Sequence, residues 1–376
     1  MIKYVLRFIP LLISTVIAVV SMFPASIELL QKDIVAQTQR VAELEEAYAN
    51  GEIMPVDETV FFDGNLESEL ENGLKFNELR YIATHNSYQT KSTEEMKKIY
   101  SNLSELTFGL IGSGTADFVS PTITEQLNSG IYSMELDVET FDRNGEVSFT
   151  CMHSPYLEMG TSCYDFELAL KEISMWSDNN PGHLPVTFIV EMKEIFIPLE
   201  NMEWPNIGYV EEFDRVLRKN LGDKLFTPAD MLRDYENFAA LRADDGWCEV
   251  EDMRGKVLFL LHKCGLTDDY IDTDDSLRTQ AMFPMMKYTD TDNKNASFLI
   301  MNNPKSQNKR IREATDENFI VRTRADKYNG INEENRRLAF ESGAQMISTD
   351  YPVKYGLEAD DYYVSFGGMK TISITK

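Results

Sequence analysis

Basic residues are what this chain of 376 residues lacks: 36 lysines and arginines stand against 62 aspartates and glutamates, a formal charge of −26. Phosphate backbones are gripped by an excess of Lys and Arg, so the balance argues against a nucleic-acid partner and against adhesion to an anionic bilayer by a polybasic patch. It fits a well-solvated surface or one that gathers cations. Histidine is scarcer, with four in the whole chain, and cysteine also numbers four. No CxxC pair or grouped histidines support a zinc site. There is no internal repeat and no low-complexity tract, and nothing in the sequence points to a protein partner. Cys151, Cys163, Cys248 and Cys264 fit an oxidising compartment, where four allow three pairings. Local spacing favours Cys151 with Cys163 and Cys248 with Cys264.

The amino terminus sets the compartment. Lys3 and Arg7 precede an apolar run from Phe8 to Phe23, broken only by Pro10, Ser14, Thr15 and Ser21, which has the charge and length of a secretory signal. Ala18, Ser21 and Ala25 form no clear cleavage pattern, so residues 1–26 read as a signal peptide or a signal anchor. The body is expected outside the cytosol, secreted or extracytoplasmic, and membrane-anchored if the segment is kept. Ile27, Leu30, Ile34, Val41, Leu44 and Tyr48 then make one helical stripe that ends near Asn50-Gly51. Acidic residues and turn formers over 52–73 suggest a linker. Residues 74–376 remain for the main domain.

From Leu79 onward short apolar runs alternate with helical patterns, as parallel strands joined by crossover helices do. Strands are expected at 79–85, 132–138, 147–153, 186–192, 257–262, 298–302, 319–323 and 344–349. About eight is the number that closes a barrel, so the fold class expected is α/β, a TIM-type (β/α)8 barrel with room for irregularity, preceded by the amino-terminal helix. Ser92 with Glu95, and Thr227 with Pro228 and Asp230, signal helix starts. Helices are expected through Phe166 to Asn179 and from about Glu333 to Ser342, the second stopped by Gly343.

Several of these runs end in ionisable residues. LRYIATHNSYQTK delivers His85 and Asn86 into a polar turn, SMELDVE carries Glu135 and Asp137, TCMHSP carries His153, and FIVEMKE carries Glu191. Side chains alternate along a strand, so Glu135 and Asp137 share one face and would meet at the inner mouth of a barrel. Two carboxylates there repel unless a cation lies between them. The oxygen donors Asn86, Glu135, Asp137 and Glu191 suit calcium or magnesium rather than zinc. His85 and His153 flank that position, and a histidine pair beside a cation can take and give protons in phosphodiester chemistry. His183, in a Pro-Gly turn, and His262 read as structural. Lys193 lies on the face of Glu191, and Arg322 shares a face with Arg324; these would bind phosphate, or the arginines would form an ion pair closing the barrel.

With these residues placed, the chain resembles the calcium-dependent phosphoinositide-specific phospholipases C of the secreted, single-domain kind. The resemblance runs from about Leu79 to Pro352 and rests on ATHNSY with Glu135-Leu136-Asp137, His153 and Glu191, then on IVRTRAD, on RGKVLF from Arg254 to Phe259, and on STDYP from Ser348 to Pro352. Tyr132 departs from the pattern, which has an arginine there. The resemblance implies His85 and His153 as the catalytic pair and a calcium held by Asn86, Glu135, Asp137 and Glu191, with magnesium the lesser alternative. One of the acids would serve as general base. The implied reaction splits phosphatidylinositol-type lipids at a membrane surface into diacylglycerol and inositol phosphate, with the ring's own neighbouring hydroxyl as nucleophile. A metal-dependent phosphodiesterase of glycerophosphodiesters or sphingolipids would use the same barrel, although the former is expected to show His-Arg where this chain has His85-Asn86. A catalytically inactive binding module is the non-enzyme alternative.

Overall fold

Strand-forming runs buried on both faces build the centre of the molecule, as a parallel barrel wrapped by helices requires. The computed structural model describes residues 2–106, 119–193, 198–326, 330–353 and 362–375, with side chains from residue 10. Its strands in chain order are β1 (Leu79–Thr84), β2 (Ser133–Arg143), β3 (Glu146–Cys151), β4 (Val186–Met192), β5 (Met202–Glu203), β6 (Val257–Leu261), β7 (Met282–Lys287), β8 (Phe298–Ile300), β9 (Ile320–Arg324), β10 (Met346–Thr349) and β11 (Ile372–Ile374). Parallel pairing runs β1, β10, β9, β8, β7, β6, β4, β2 and returns to β1, which closes an eight-stranded TIM-type barrel as the sequence led us to expect. The closing seam is thin. Thr84 opposite Met134 is the paired position between β1 and β2, and beyond it Ser87 and Glu135 complete the seam by exchanging hydrogen bonds of 2.9 Å.

One expected strand comes out differently, and one stave was not among those expected. The run at 147–153 is not a barrel stave: β3 pairs antiparallel with the outer half of β2 in a hairpin whose turn is Asn144-Gly145, both at positive φ. That dipeptide is the usual two-residue hairpin turn, so the hairpin was legible in the sequence. The eighth stave is instead β7, a short run interrupted by Pro284 and outside the expected set. Pro284 faces Leu261 of β6, while pairing with β8 begins only at Met285, so the proline costs little of the ladder.

The helices at Phe166–Asn179, Pro228–Leu232 and Glu333–Glu341 match expectation, and Thr227 with Asp230 forms the capping box. The helix after β1 spans Glu94–Leu106, and its cap is Thr93, whose hydroxyl accepts from Met96 N, rather than Ser92. The amino-terminal helix is continuous from Ile2 to Ala49, so the signal-like run and the amphipathic stripe lie on one rod of 48 residues. The acidic segment that follows is no loose linker. It contains a short helix at Leu66–Glu71, and Phe61, Phe62 and Leu66 enter the main core. Gly130 at φ +74 is required there, since a Cβ would stand 2.4 Å from the Phe61 ring.

The four cysteines are thiols, contrary to the expected disulfides. Cys151 and Cys163 do meet, with Cys151 N donating to Cys163 O at 3.1 Å. Cys248 and Cys264 do not meet. Cys248 sits beside the carbonyls of Asp230 and Met231, below the start of β6, while Cys264 follows that strand's far end.

Candidate active site

The site is built at the carboxyl ends of the barrel strands, where side chains leave the packed interior and reach water. The register brings Thr84 level with Met134, Asp137 level with Glu191, and Arg324 level with Ser348, so one rim collects His85, Glu135, Asp137, Glu191, His262, Arg324 and Asp350. Asn86 follows β1 in the left-handed region, φ 46, a conformation asparagine tolerates better than most. Its Nδ2 donates to Gln89 Oε1 at 3.3 Å.

Glu135 and Asp137 share a face as expected, and β2 adds a third buried acid, Glu139, two residues on. Burial alone would raise the Glu135 carboxyl, but Arg322, with help from His85, His262 and Arg324, holds it down at about 2. Asp137 is raised by burial and by repulsion from Glu191, although Lys193 opposes the rise. Its Oδ2 accepts from the Tyr88 hydroxyl at 3.0 Å and lies 3.4 Å from Lys193 Nζ, which also reaches Glu191 Oε1 at 3.3 Å. Glu139 is pushed up to about 8, by burial first and by Asp137.

The histidines stand on opposite sides of these acids. His85 Nδ1 lies 2.9 Å from Asp350 Oδ1, and Asp350 is in turn 3.3 Å from Arg324 Nη2. His153 Nδ1 contacts Glu158, while its Nε2 lies 4.0 Å from Asp137 Oδ2. Burial works against the imidazolium, yet Glu158 and Asp137 raise the His153 pKa overall. Each histidine is therefore oriented through Nδ1 by a carboxylate, which leaves Nε2 for other work.

Asp350, Glu158, Glu139 and Tyr88 are not among the residues expected from the sequence, and His262, expected to be structural, stands at the site. His262 offers a ring nitrogen within 4.8 Å of carboxylate oxygens of Glu135 and Glu191. The STDYP motif contained Asp350, and the alternation through Glu135 and Asp137 pointed to Glu139. Glu158 has no comparable signal, because a loop brings it back. His183 is structural as expected: it is buried between Ser177 Oγ at 2.9 Å and Leu184 O at 2.7 Å, and burial lowers its pKa to about 4. Tyr132 is fully buried beside Glu58, away from the acids. Arg322 is also buried, with Asn302, Glu135 and Ser348 as hydrogen-bond partners.

The donor set can hold a hard cation. Asn86 Oδ1 and Asp137 Oδ1 are buried oxygens that accept no hydrogen bond, and an oxygen left so is normally costly. With Glu135 and Glu191 they make an oxygen-rich cluster, which suits calcium and gives a softer metal little to bind.

Comparison with known proteins shows the family and the fold. Residues 142–374 match the family model described as phosphoinositide phospholipase C, Ca2+-dependent. That stretch includes His153, Glu191, Arg322 and Asp350, while His85, Asn86, Glu135 and Asp137 precede it. Among solved structures, a calcium-dependent phosphoinositol-specific phospholipase C from the Gram-negative bacterium Pseudomonas sp. superposes with TM-score 0.55 at 18% identity, over 83% of this chain and 97% of that one. A Ca2+-dependent phosphatidylinositol-specific phospholipase C from Streptomyces antibioticus gives 0.52 at 19%, over 74% and 95%. At such identities the likeness is one of fold. No curated protein sequence matches.

Proposed function

The chain belongs to the Ca2+-dependent phosphoinositide phospholipase C family, and from that premise we propose how its site cleaves phosphatidylinositol-type lipids to diacylglycerol and inositol phosphate. Asn86, Glu135, Asp137 and Glu191 would hold the calcium, and the observation that supports this set is the pair of buried oxygens on Asn86 and Asp137 that accept no hydrogen bond. Calcium, when bound, makes the attacking hydroxyl more acidic and offsets charge gathering on the phosphoryl oxygens.

The nucleophile is the inositol hydroxyl next to the phosphoester, so no enzyme serine or cysteine need be activated. A site carboxylate takes its proton. Glu135, held at about 2 by Arg322 against the effect of burial, is too weak a base, which favours Asp137 or Glu191. His153 is suited to protonate the departing diacylglycerol oxygen, since burial works against its charged form but Glu158 and Asp137 favour that form more strongly. His85, oriented by Asp350, donates to the phosphoryl oxygen as its charge grows. Lys193 reaches the rim and supplies positive charge for phosphate, while Arg324, buried against Asp350, acts through that carboxylate and His85. Arg322, 1% exposed, serves better by keeping Glu135 ionised than by touching substrate.

The apolar segment near the amino terminus supports an extracytoplasmic location, with 1–26 directing export and 74–376 forming the catalytic barrel. Purified protein should release diacylglycerol from phosphatidylinositol and lose the activity in chelator. A substrate whose neighbouring hydroxyl is methylated should resist cleavage. Normal hydrolysis of that blocked lipid would make water the nucleophile and refute the mechanism.

A further inference from the structure

Between residues 10 and 27 the amino-terminal helix is apolar on two faces, and the body uses only one of them. The inner stripe is built into the fold: Ala18 and Met22 pack on Met96 and Ile99 of the helix Glu94–Leu106. Asn102 Nδ2 donates to Ser14 Oγ at 3.2 Å and Thr15 Oγ1 at 3.1 Å, and Ser26 Oγ donates to Tyr156 O at 2.8 Å. The outer stripe, Leu12, Ile13, Val16, Ile17, Val20 and Phe23, is exposed, up to 69% at Val20. This part of the helix is long and apolar enough to enter a membrane. Further along, at Gln31, Lys32 and Gln39, the outward face becomes polar.

We infer that the outer stripe is a lipid-docking face, and that the helix lies along a bilayer surface without crossing it, so that the rim of the barrel is held against the membrane. A helix apolar on all sides and outside the core is a membrane element. Crossing, however, would carry the docked helix Glu94–Leu106 into hydrocarbon beside residues 14–22, and Glu94 and Lys98 on it are exposed charges that hydrocarbon strongly disfavours. Lying flat needs no such burial. The stripe is also continuous with the site. The Phe23 ring stands 5.2 Å from that of Tyr156, the next residue Leu157 is 39% exposed, and the one after it, Glu158, orients His153. With a formal charge of −26, attachment cannot be driven by basic residues meeting anionic lipid, so the face fits the apolar region of a neutral or zwitterionic bilayer. The inference deepens the phospholipase reading and rests on it only for the use made of the rim.

The test uses the full chain and phosphatidylcholine vesicles, with and without phosphatidylinositol, in a flotation assay at low and high salt. The protein is expected to float with both vesicles at both salt concentrations. The double variant Val16→Glu, Val20→Glu should lose flotation at least tenfold and hydrolysis of vesicle phosphatidylinositol to a similar degree, while cleaving a short-chain monomeric phosphatidylinositol normally. The milder Val16→Ser, Val20→Ser pair should fall between. A crosslink between Ser14→Cys and Asn102→Cys ties the helix to the body; flotation that survives it supports the flat geometry, and flotation abolished by it overturns that geometry. Unaltered flotation of the glutamate variant, a mature protein whose amino terminus lies beyond Val20, or a dimer that the glutamates split would each overturn the inference. If the chain floats but cleaves neither substrate, the docking face stands and the phospholipase reading fails.

Discussion

Asp33 lies far from the acids in sequence and on the amino-terminal helix, yet it should control the rate. Its Oδ2 accepts from Thr90 Oγ1 at 2.7 Å and from Thr161 N at 2.8 Å. Thr90 belongs to the turn after His85 and Asn86, and Thr161 to the loop after His153 and Glu158, so a single carboxylate oxygen ties together the two loops that carry the histidines. The loops touch there without room to spare: Thr90 N donates to Gly160 O at 3.3 Å, and a Cβ on Gly160 would lie 2.6 Å from Thr90 Oγ1. Hydrogen bonds to a charged group contribute roughly 1.5–3 kcal/mol each. Burial raises the Asp33 pKa and offsets part of this gain, so Asp33→Ala should lose about 2–3 kcal/mol of stability in denaturant unfolding. The larger effect should fall on turnover, because displacement of a reacting group by an ångström can cost about a hundredfold. We expect kcat to drop by about tenfold with KM changed little, since the donors themselves remain. Asp33→Asn keeps the accepting oxygen and should restore most of kcat. In a cycle with Thr90→Val, the double variant should be less impaired than the sum of the singles. Full turnover in Asp33→Ala would refute the clamp, and lost stability with unchanged kcat would reduce Asp33 to a structural group.

Chelation should abolish hydrolysis and calcium should restore it; calcium should also raise the unfolding temperature of the wild type but not of Asp137→Asn, and an equal rise in both would remove Asp137 from the ligand set. His85→Ala and His153→Ala should each lose roughly two orders of magnitude in kcat with native circular dichroism, and near-normal rates in either would eliminate that histidine from the reaction. His183, whose pKa burial lowers to about 4, stays neutral in the fold while the unfolded chain protonates near 6.5. Its contribution to stability is therefore complete above that value and lost as pH falls toward 4, by about 3 kcal/mol in all. His183→Gln should flatten this part of the stability profile, and an unchanged slope would contradict the assignment.

The sequence by itself determined the barrel class and the shared face of the mouth acids, because these follow from local periodicity, whereas His153 reaches them from a hairpin outside the barrel and not from a stave. A strand that alternates places Glu135 and Asp137 on one face whatever surrounds it, and a polar turn after β1 exposes His85 and Asn86. The hairpin at Asn144-Gly145 was equally local. What only the tertiary structure decided is which distant groups complete each local one. His262 was set aside because its face depends on the register of β6 against β4, and Arg322 turned out buried because β9 lies across the barrel from β2, where Glu135 meets it. Glu158 finds His153 only through the path of a loop, and Asp33 reaches both histidine loops only because a helix of 48 residues docks along the rim. Cysteine pairing failed for the same reason: spacing along the chain does not reveal that Cys248 and Cys264 lie at opposite ends of β6. Periodicity fixes the face a side chain takes on its own element, whereas packing fixes what that face meets, and the partners that tune this site come from elements far apart in the chain.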